Sequence, residues 1–280
     1  MSNTAKRIIS AVVMLAIVFF CIWRGRFATL NFILVAGVLS IDEICRNLLE
    51  HKRASVPYLL NQLAFIGGYV FVSYIENIPS MYMIAVNVTL LLDIILLYFL
   101  FQNRPSSEKL FDFLRRSWLF QIIPTILILF PLLSLTYIFS FNEWIHWLII
   151  FLLANFGMDT GAWFFGRKFG KRKLWEAVSP KKTVEGTVGG VFTGATLAFV
   201  YTWITFKNLP PYYFYFIFAF IAAASQLGDL FQSKLKRIAN IKDSSGLIPG
   251  HGGVYDRIDS MLFSVPIFTT FLKFLTTTVG

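Results

Sequence analysis

The chain is short of charge. Asp, Glu, Lys and Arg supply 14% of its 280 residues, too few to coat a soluble domain of this length. Cysteine and histidine are scarce as well. Cys21 and Cys45 fall in or beside apolar runs, which excludes a disulfide framework and a CxxC metal site. Three histidines without an HExxH pattern exclude zinc hydrolase chemistry, and the GxxxxGK[ST] spacing of a Walker A loop is missing. A basic start and an apolar run open the chain as in a secretory leader. WRGRF follows rather than a small-residue cleavage site, so a retained first helix is expected.

Apolar residues fill the space left by charge: 56% of the chain is hydrophobic, with 31 phenylalanines and a mean hydropathy of +0.66. Apolar runs fall at about 8–23, 27–42, 57–75, 81–101, 118–139, 144–165, 187–206, 211–231 and 260–277, several of them near or above the ~18 residues of a membrane span. Only helices and closed barrels satisfy their backbone in lipid, and the alternating pattern of a barrel strand is absent. The expected fold is all-α: a polytopic integral membrane protein of about nine transmembrane helices, forming a single domain over 1–280.

Charge placement orients it. If the N-terminus is cytoplasmic, 21 of the 25 Lys and Arg lie in cytoplasmic segments, and only Arg24, Arg26, Lys207 and Lys273 lie opposite. That bias predicts N-in and C-out with nine spans. The net charge of +10 then belongs to short loops beside anionic head groups. Nucleic acid is not an expected partner, because no aromatic platform accompanies the basic residues. Pro124 and Pro131 in the fifth run are expected as kinks. Asp93, within LLDIILL, is a costly carboxylate in the fourth.

Polar and glycine-containing material is concentrated after residue 155, so residues 1–140 are expected to be mainly scaffold and 141–280 the catalytic half. Three constellations lie on the cytoplasmic side. NFGMDTGAWFFGRKFGKRKL carries Asp159, which is expected to interrupt the sixth helix shortly before a basic loop. SPKKTVEGTVGG brings Ser179, Lys181, Lys182, Thr183 and Glu185 to a glycine-rich helix start. Hydroxyls, ammonium groups and a helix N-terminus are the donors that hold polyphosphate oxygens, although a Lys-Lys pair also suits a plain positive-inside loop. The third, from Gly228 to the ninth run, contains Asp229, Asp256 and Asp259. Asp256 and Asp259 share a face if a helix starts at Tyr255. Two readings compete, a helix-capping cluster and a hard-cation site. Capping leaves Asp229 unexplained, whereas carboxylates with substrate phosphates are what Mg²⁺ takes. His251, flanked by glycines in PGHGG, sits where backbone can approach a ligand closely.

The segment SKLKRIANIKDSSGLIPGHGGVYDRID resembles the signature of the phosphatidate cytidylyltransferase family. The matching positions are Ser233, Lys236, Arg237, Lys242, Asp243, Ser245, His251, Gly252, Gly253, Asp256, Arg257 and Asp259. SPKKTVEG, GDLFQS and DTGAWFFGRKFG look like further blocks of that family, with Trp163 where a tyrosine is common. The resemblance implies the reaction of CTP with phosphatidic acid to give CDP-diacylglycerol and pyrophosphate, at the cytoplasmic face of a bacterial inner membrane. It also implies Mg²⁺ with room for a second cation, and a homodimer. On this reading Asp229, Asp256 and Asp259 hold metal, and Lys181, Lys182, Lys236, Arg237 and Arg257 neutralise pyrophosphate. Ser233, Lys242, Asp243, His251 and Asp159 line the substrates. The alternatives are a lipid or polyprenol kinase, a cytidylyltransferase for another lipid phosphate, and a transporter using Asp93 and Asp159, although no inverted repeat is present.

Overall fold

The computed structural model describes residues 3–76, 79–102, 108–109, 112, 121–207 and 210–279. Most of the basic stretch 104–116 and the start of the fifth apolar run lie outside the described residues. Nine longer helices form among those described: α1 (Asn3–Trp23), α2 (Arg26–Glu43), α3 (Val56–Val70), α4 (Pro79–Phe101), α5 (Ile123–Thr136), α6 (Trp144–Phe169), α7 (Val184–Phe206), α8 (Tyr213–Ile238) and α9 (Tyr255–Val279). Eight, counted with the π and 3-10 turns that continue α2, α3 and α5 to Leu48, Tyr74 and Ser140, are long and apolar enough to cross a membrane, and α1 contributes the shorter apolar helix Ile9–Trp23. The expected polytopic helical fold is therefore present. Large apolar side chains such as Leu63 on α3 and Phe216 on α8 stand exposed, as lipid-facing positions should.

One feature departs from an all-helical reading. SPKKT is not an open loop but strand β2 (Ser179–Thr183), antiparallel to β1 (Lys173–Trp175). The hairpin is anchored by apolar contact: Val178 joins Leu100 and Leu230 in a buried cluster that Leu97, Leu174, Trp175 and Leu227 complete. Asp159, for its part, does not break α6, which runs unbroken from Trp144 to Phe169.

The chain divides into two compact units that do not follow the sequence midpoint. One comprises Met1–Ala85, Phe101–Thr136 and Leu235–Ile258; the other Val86–Leu100, Tyr137–Lys234 and Asp259–Gly280.

In the first unit α2, α3 and α5 pack around a phenylalanine and an amide clamp. Gly37 leaves room for the Phe65 ring, against which a Cβ would collide. Asn61 donates from Nδ2 to the Gln121 carbonyl at 2.6 Å and accepts at Oδ1 from the backbone N–H and the hydroxyl of Thr125, at 3.1 and 2.8 Å. The bond from the Thr125 N–H satisfies one orphan donor in the first turn of α5, where lipid offers no substitute. Pro124 sits in that same first turn, where a missing N–H costs nothing, whereas Pro131 lies inside the helix.

In the second unit α6 and α7 pack glycine on glycine. A Cβ on Gly157 would stand 2.8 Å from the Gly194 Cα, and one on Gly161 3.0 Å from the Gly190 Cα. Gly186, Gly190 and Gly194 recur at four-residue spacing, the pattern that lets membrane helices approach closely. From α6, Asn155 Oδ1 accepts the Ser264 hydroxyl of α9 at 2.7 Å. From α8, the buried Lys234 donates to the carbonyls of Phe99 and Leu100 at 2.7 and 2.9 Å, over the Phe99 ring. Those are unpaired carbonyls at the end of α4, where positive charge also complements the helix dipole. Asp93 is buried on α4, with Oδ2 lacking a hydrogen-bond partner among the described residues.

Candidate functional site

The loop 239–254 between α8 and α9 turns on two buried carboxylates of the first unit. Asp256, in the first turn of α9, accepts from Lys236 Nζ at 2.8 Å through Oδ1, and from the backbone N–H groups of Ser244 and Gly253 at 2.7 and 2.9 Å through Oδ2. Its side chain is 3% exposed and that of Lys236 11%, so the pair is held away from water. The expected helix start at Tyr255 places Asp256 where an acidic side chain meets free N–H groups. Gly252 makes the fold-back possible. Its φ of 84° is left-handed, and an added Cβ would stand 2.6 Å from Asp256 Oδ2.

The second carboxylate belongs to Glu43, the last residue of α2. Oε1 accepts from Ser245 Oγ at 2.7 Å and the Val254 N–H at 2.9 Å; Oε2 accepts from Ser244 Oγ at 2.8 Å and the Tyr255 N–H at 2.9 Å. Asn47 adds a bond to the Ser244 carbonyl at 2.6 Å. From α1, Arg7 Nε donates to the Gly250 carbonyl at 2.8 Å, and Ser10 Oγ shares a hydrogen bond with His251 Nδ1 at 2.7 Å. His251 is thus tied into the loop by its ring. Burial, and then the neighbouring Arg257 and Arg7, push its pKa below the ordinary histidine value, so the imidazole is neutral at neutral pH.

A cleft of about 670 Å³ opens beside this loop, lined by Glu43, Arg46, Asn47, Arg53, Ser244 and Ser245 among others. On its wall Arg46 and Arg53 reach Asp42 at 3.2 and 3.5 Å. Arg237 donates to the Ile241 carbonyl at 3.4 Å; Lys242 and Arg257 are exposed, and Asp243, also exposed, lines the cleft.

In the second unit β2 presents the Lys-Lys pair on alternate faces. Lys182 forms an ion pair with Asp229 on α8, whose Oδ1 is 3.4 Å from the Ser233 hydroxyl; Lys181 is exposed. Thr183 caps α7, accepting the Gly186 N–H at 3.1 Å. Glu185, expected as a substrate contact, clamps the hairpin in this structure. It accepts from the N–H groups of Lys171 and Arg172 at 3.0 and 3.1 Å and from Arg172 Nε at 3.0 Å. Ser179 opens β2 opposite Trp175. Asp259 is half-buried, with Oδ1 accepting the Ser260 N–H at 2.7 Å, and Asp159 is exposed on α6. If Lys182 serves the nucleotide, Lys182→Ala should raise the apparent KM for CTP about tenfold, the order expected for one charge-assisted contact. Steady-state kinetics check this, and unchanged KM and kcat would leave the strand a purely structural part.

Each unit thus holds one cation–carboxylate pair, Lys236 with Asp256 in the first and Lys182 with Asp229 in the second. Among the described residues no group of three His, Cys, Asp or Glu side chains gathers closely enough to hold a metal alone. The donors are nevertheless of the right kind: hard oxygens, each of the two paired carboxylates already facing positive charge. Hard oxygens are the donor type that Mg²⁺ takes, with water and phosphate completing its ligands.

Sequence reasoning missed Glu43, Asn47, Arg7 and Ser10. Glu43 carried a signal, since it stands with Asp42 at the end of an otherwise apolar run, where a carboxylate without a partner is expensive.

A model described as the cytidylyltransferase family matches residues 5–275. A phosphatidate cytidylyltransferase of Staphylococcus aureus is 27% identical over 282 residues, covering 95% of this chain and 98% of that protein. Phosphatidate cytidylyltransferases of Bacillus subtilis and Haemophilus influenzae are 46% identical over 117 and 134 residues, covering 42% and 46% of each chain respectively.

Proposed function

Since the chain belongs to the cytidylyltransferase family, we propose that it is a phosphatidate cytidylyltransferase, converting CTP and phosphatidic acid to CDP-diacylglycerol and pyrophosphate for phospholipid synthesis. The observation that carries this is the folded signature loop: a buried Lys236–Asp256 pair and a carboxylate-capped α9, beside a cleft with guanidinium groups on its wall.

The lipid phosphate oxygen forms a bond to the α-phosphorus of CTP, the bond from that phosphorus to the bridging oxygen breaks, and pyrophosphate leaves with the electron pair. A phosphomonoester has a second pKa of about 6, so it is ionised at neutral pH without a general base. The barrier is the approach of two anions and the growing charge on pyrophosphate. Lys181, Lys182, Lys236, Arg237 and Arg257 supply positive charge. His251, bonded to Ser10, is a phosphate or cytidine contact or shapes the loop, and the ionised phosphomonoester needs no proton acceptor. Mg²⁺, held by Asp229, Asp256 and Asp259 with substrate oxygens completing its ligands, would add Lewis-acid neutralisation of phosphate charge, and a second cation is compatible with the same donors. Ser179, Thr183, Glu185, Ser233, Lys242, Asp243 and Asp159 are the remaining substrate contacts of this reading.

The distribution of Lys and Arg supports a cytoplasmic N-terminus and a site facing the cytoplasm of a bacterial inner membrane. A homodimer is carried by the family resemblance, and light scattering of active protein tests it.

The deciding experiment incubates purified protein in detergent with phosphatidic acid, CTP and Mg²⁺, with ATP, lipid-free and Mg²⁺-free controls. CDP-diacylglycerol and pyrophosphate formed only with CTP, lipid and Mg²⁺ are expected. Phosphoryl transfer from ATP, or product only with a polyprenyl phosphate, would overturn the substrate assignment.

A further inference from the structure

We infer that Glu43 is a positioning residue of the reaction, setting the path of the signature loop and, through it, the carboxylate of Asp256. The inference rests on the proposed activity for its kinetic consequence and on geometry for its content.

Glu43 is 2% exposed. Each of its two oxygens accepts one serine hydroxyl and one backbone N–H: Ser245 and Val254 at Oε1, Ser244 and Tyr255 at Oε2. Val254 and Tyr255 are the entry to α9, so their N–H groups have no partner within that helix. Ser244 is also the residue whose own N–H holds Asp256 Oδ2. One side chain from α2 therefore grips the loop at both ends of the 244–255 excursion. Asp256, with its Lys236 partner, receives its geometry from that grip. The fit is close on the far side as well: an added Cβ on Gly253 would collide with Glu43 Oε2 and Ser244 Oγ, so the glycine of HGG is the space that Glu43 fills.

The chemistry demands this residue type. A serine hydroxyl can rotate from donor to acceptor, but a backbone N–H cannot. Both oxygens must accept an N–H, which a carboxyl group does and a carboxamide cannot, because its nitrogen only donates. Glutamine at this position sets N–H against N–H at either Val254 or Tyr255. Aspartate keeps two acceptors but is a methylene short.

The test compares wild type, Glu43→Gln, Glu43→Asp and the structural control Tyr69→Phe, which removes a hydroxyl bond to the Leu30 carbonyl of the same unit, away from the loop. A displacement of the order of 1 Å at a reacting group costs up to about a hundredfold, so kcat of Glu43→Gln is expected to fall about ten- to a hundredfold. The KM for phosphatidic acid should stay within about twofold, with partial recovery in Glu43→Asp and full activity in Tyr69→Phe. Hydrogen exchange of the apo protein should quicken at 243–256 in Glu43→Gln and not elsewhere. Wild-type kcat in Glu43→Gln, or a loss matched by a general fall in thermal stability with unchanged local exchange, would overturn the inference. If Glu43→Gln does not yield folded protein, Ser245→Ala takes its place, deleting one hydroxyl donor to Oε1. Faster exchange at 243–256 with lowered kcat supports the assignment, and no change in either removes it. The exchange readout uses no substrate, so a wild-type protein inert toward CTP and phosphatidic acid would defeat the proposed activity while leaving the role of Glu43 separately decided.

Discussion

Asp256→Asn should lower turnover about a hundredfold or more while the helices stay folded, the magnitude seen when one preorganised electrostatic group is removed from a transition state. The substitution is nearly isosteric, so the loss is of charge and acceptor pattern. An amide nitrogen at Oδ2 would face the N–H groups of Ser244 and Gly253, and at Oδ1 it would face Lys236 Nζ. In either rotamer a buried donor meets a donor. Lys236, with its side chain 11% exposed, then keeps a positive charge without its partner. Breaking one side of a buried ion pair costs on the order of 3–5 kcal/mol, which the loop can relieve only by opening. Turnover under saturating CTP, phosphatidic acid and Mg²⁺ measures this, with circular dichroism to confirm helicity. Near-wild-type turnover would remove Asp256 from the reaction and leave it as a cap of α9.

Gly194→Leu should abolish a stable folded protein, for a reason unconnected with chemistry. Its Cβ would run into the Ala154 carbonyl and approach the Met158 N at 3.1 Å and the Ala222 Cβ at 3.2 Å. Two of those neighbours are backbone on α6 and cannot rotate aside. Overpacking a close-packed interior costs about 1–3 kcal/mol even where side chains can give, and here a whole helix must move. Val188→Leu, on the same helix but 66% exposed, should be silent. Size-exclusion profile and thermal midpoint in mild detergent distinguish the two variants. A monodisperse Gly194→Leu protein with an unchanged midpoint would show that α6 and α7 tolerate separation.

The same glycines show how a legible pattern can go unused. Gly186, Gly190 and Gly194 recur every four residues, and Gly157 and Gly161 do likewise on α6, yet the first set reads equally well as a flexible helix start. Spacing alone does not say which helix lies opposite, and in lipid the apolar faces of all nine are chemically alike. Glu43 was hidden for a related reason. Its run looks like a span that merely ends in acid, and its four partners lie about two hundred residues further on. Glu185 makes contacts that its motif does not announce: the β-hairpin turns two backbone N–H groups and a guanidinium toward it.

What the sequence determined by itself is what local chemistry and the membrane impose. Long apolar runs must be helices, because lipid offers their backbone no other partner, and the start of α9 at Tyr255 was readable from the acidic turn that follows a glycine-rich loop. The signature residues and the family they mark are likewise local, since their spacing survives without knowledge of any distant contact. Only the tertiary structure decided which carboxylate meets which cation, that the Lys-Lys pair is split across a strand, and that the end of α2 grips the entry to α9. Those outcomes depend on close packing between segments far apart in the chain, where tenths of an ångström and the count of available donors settle the arrangement.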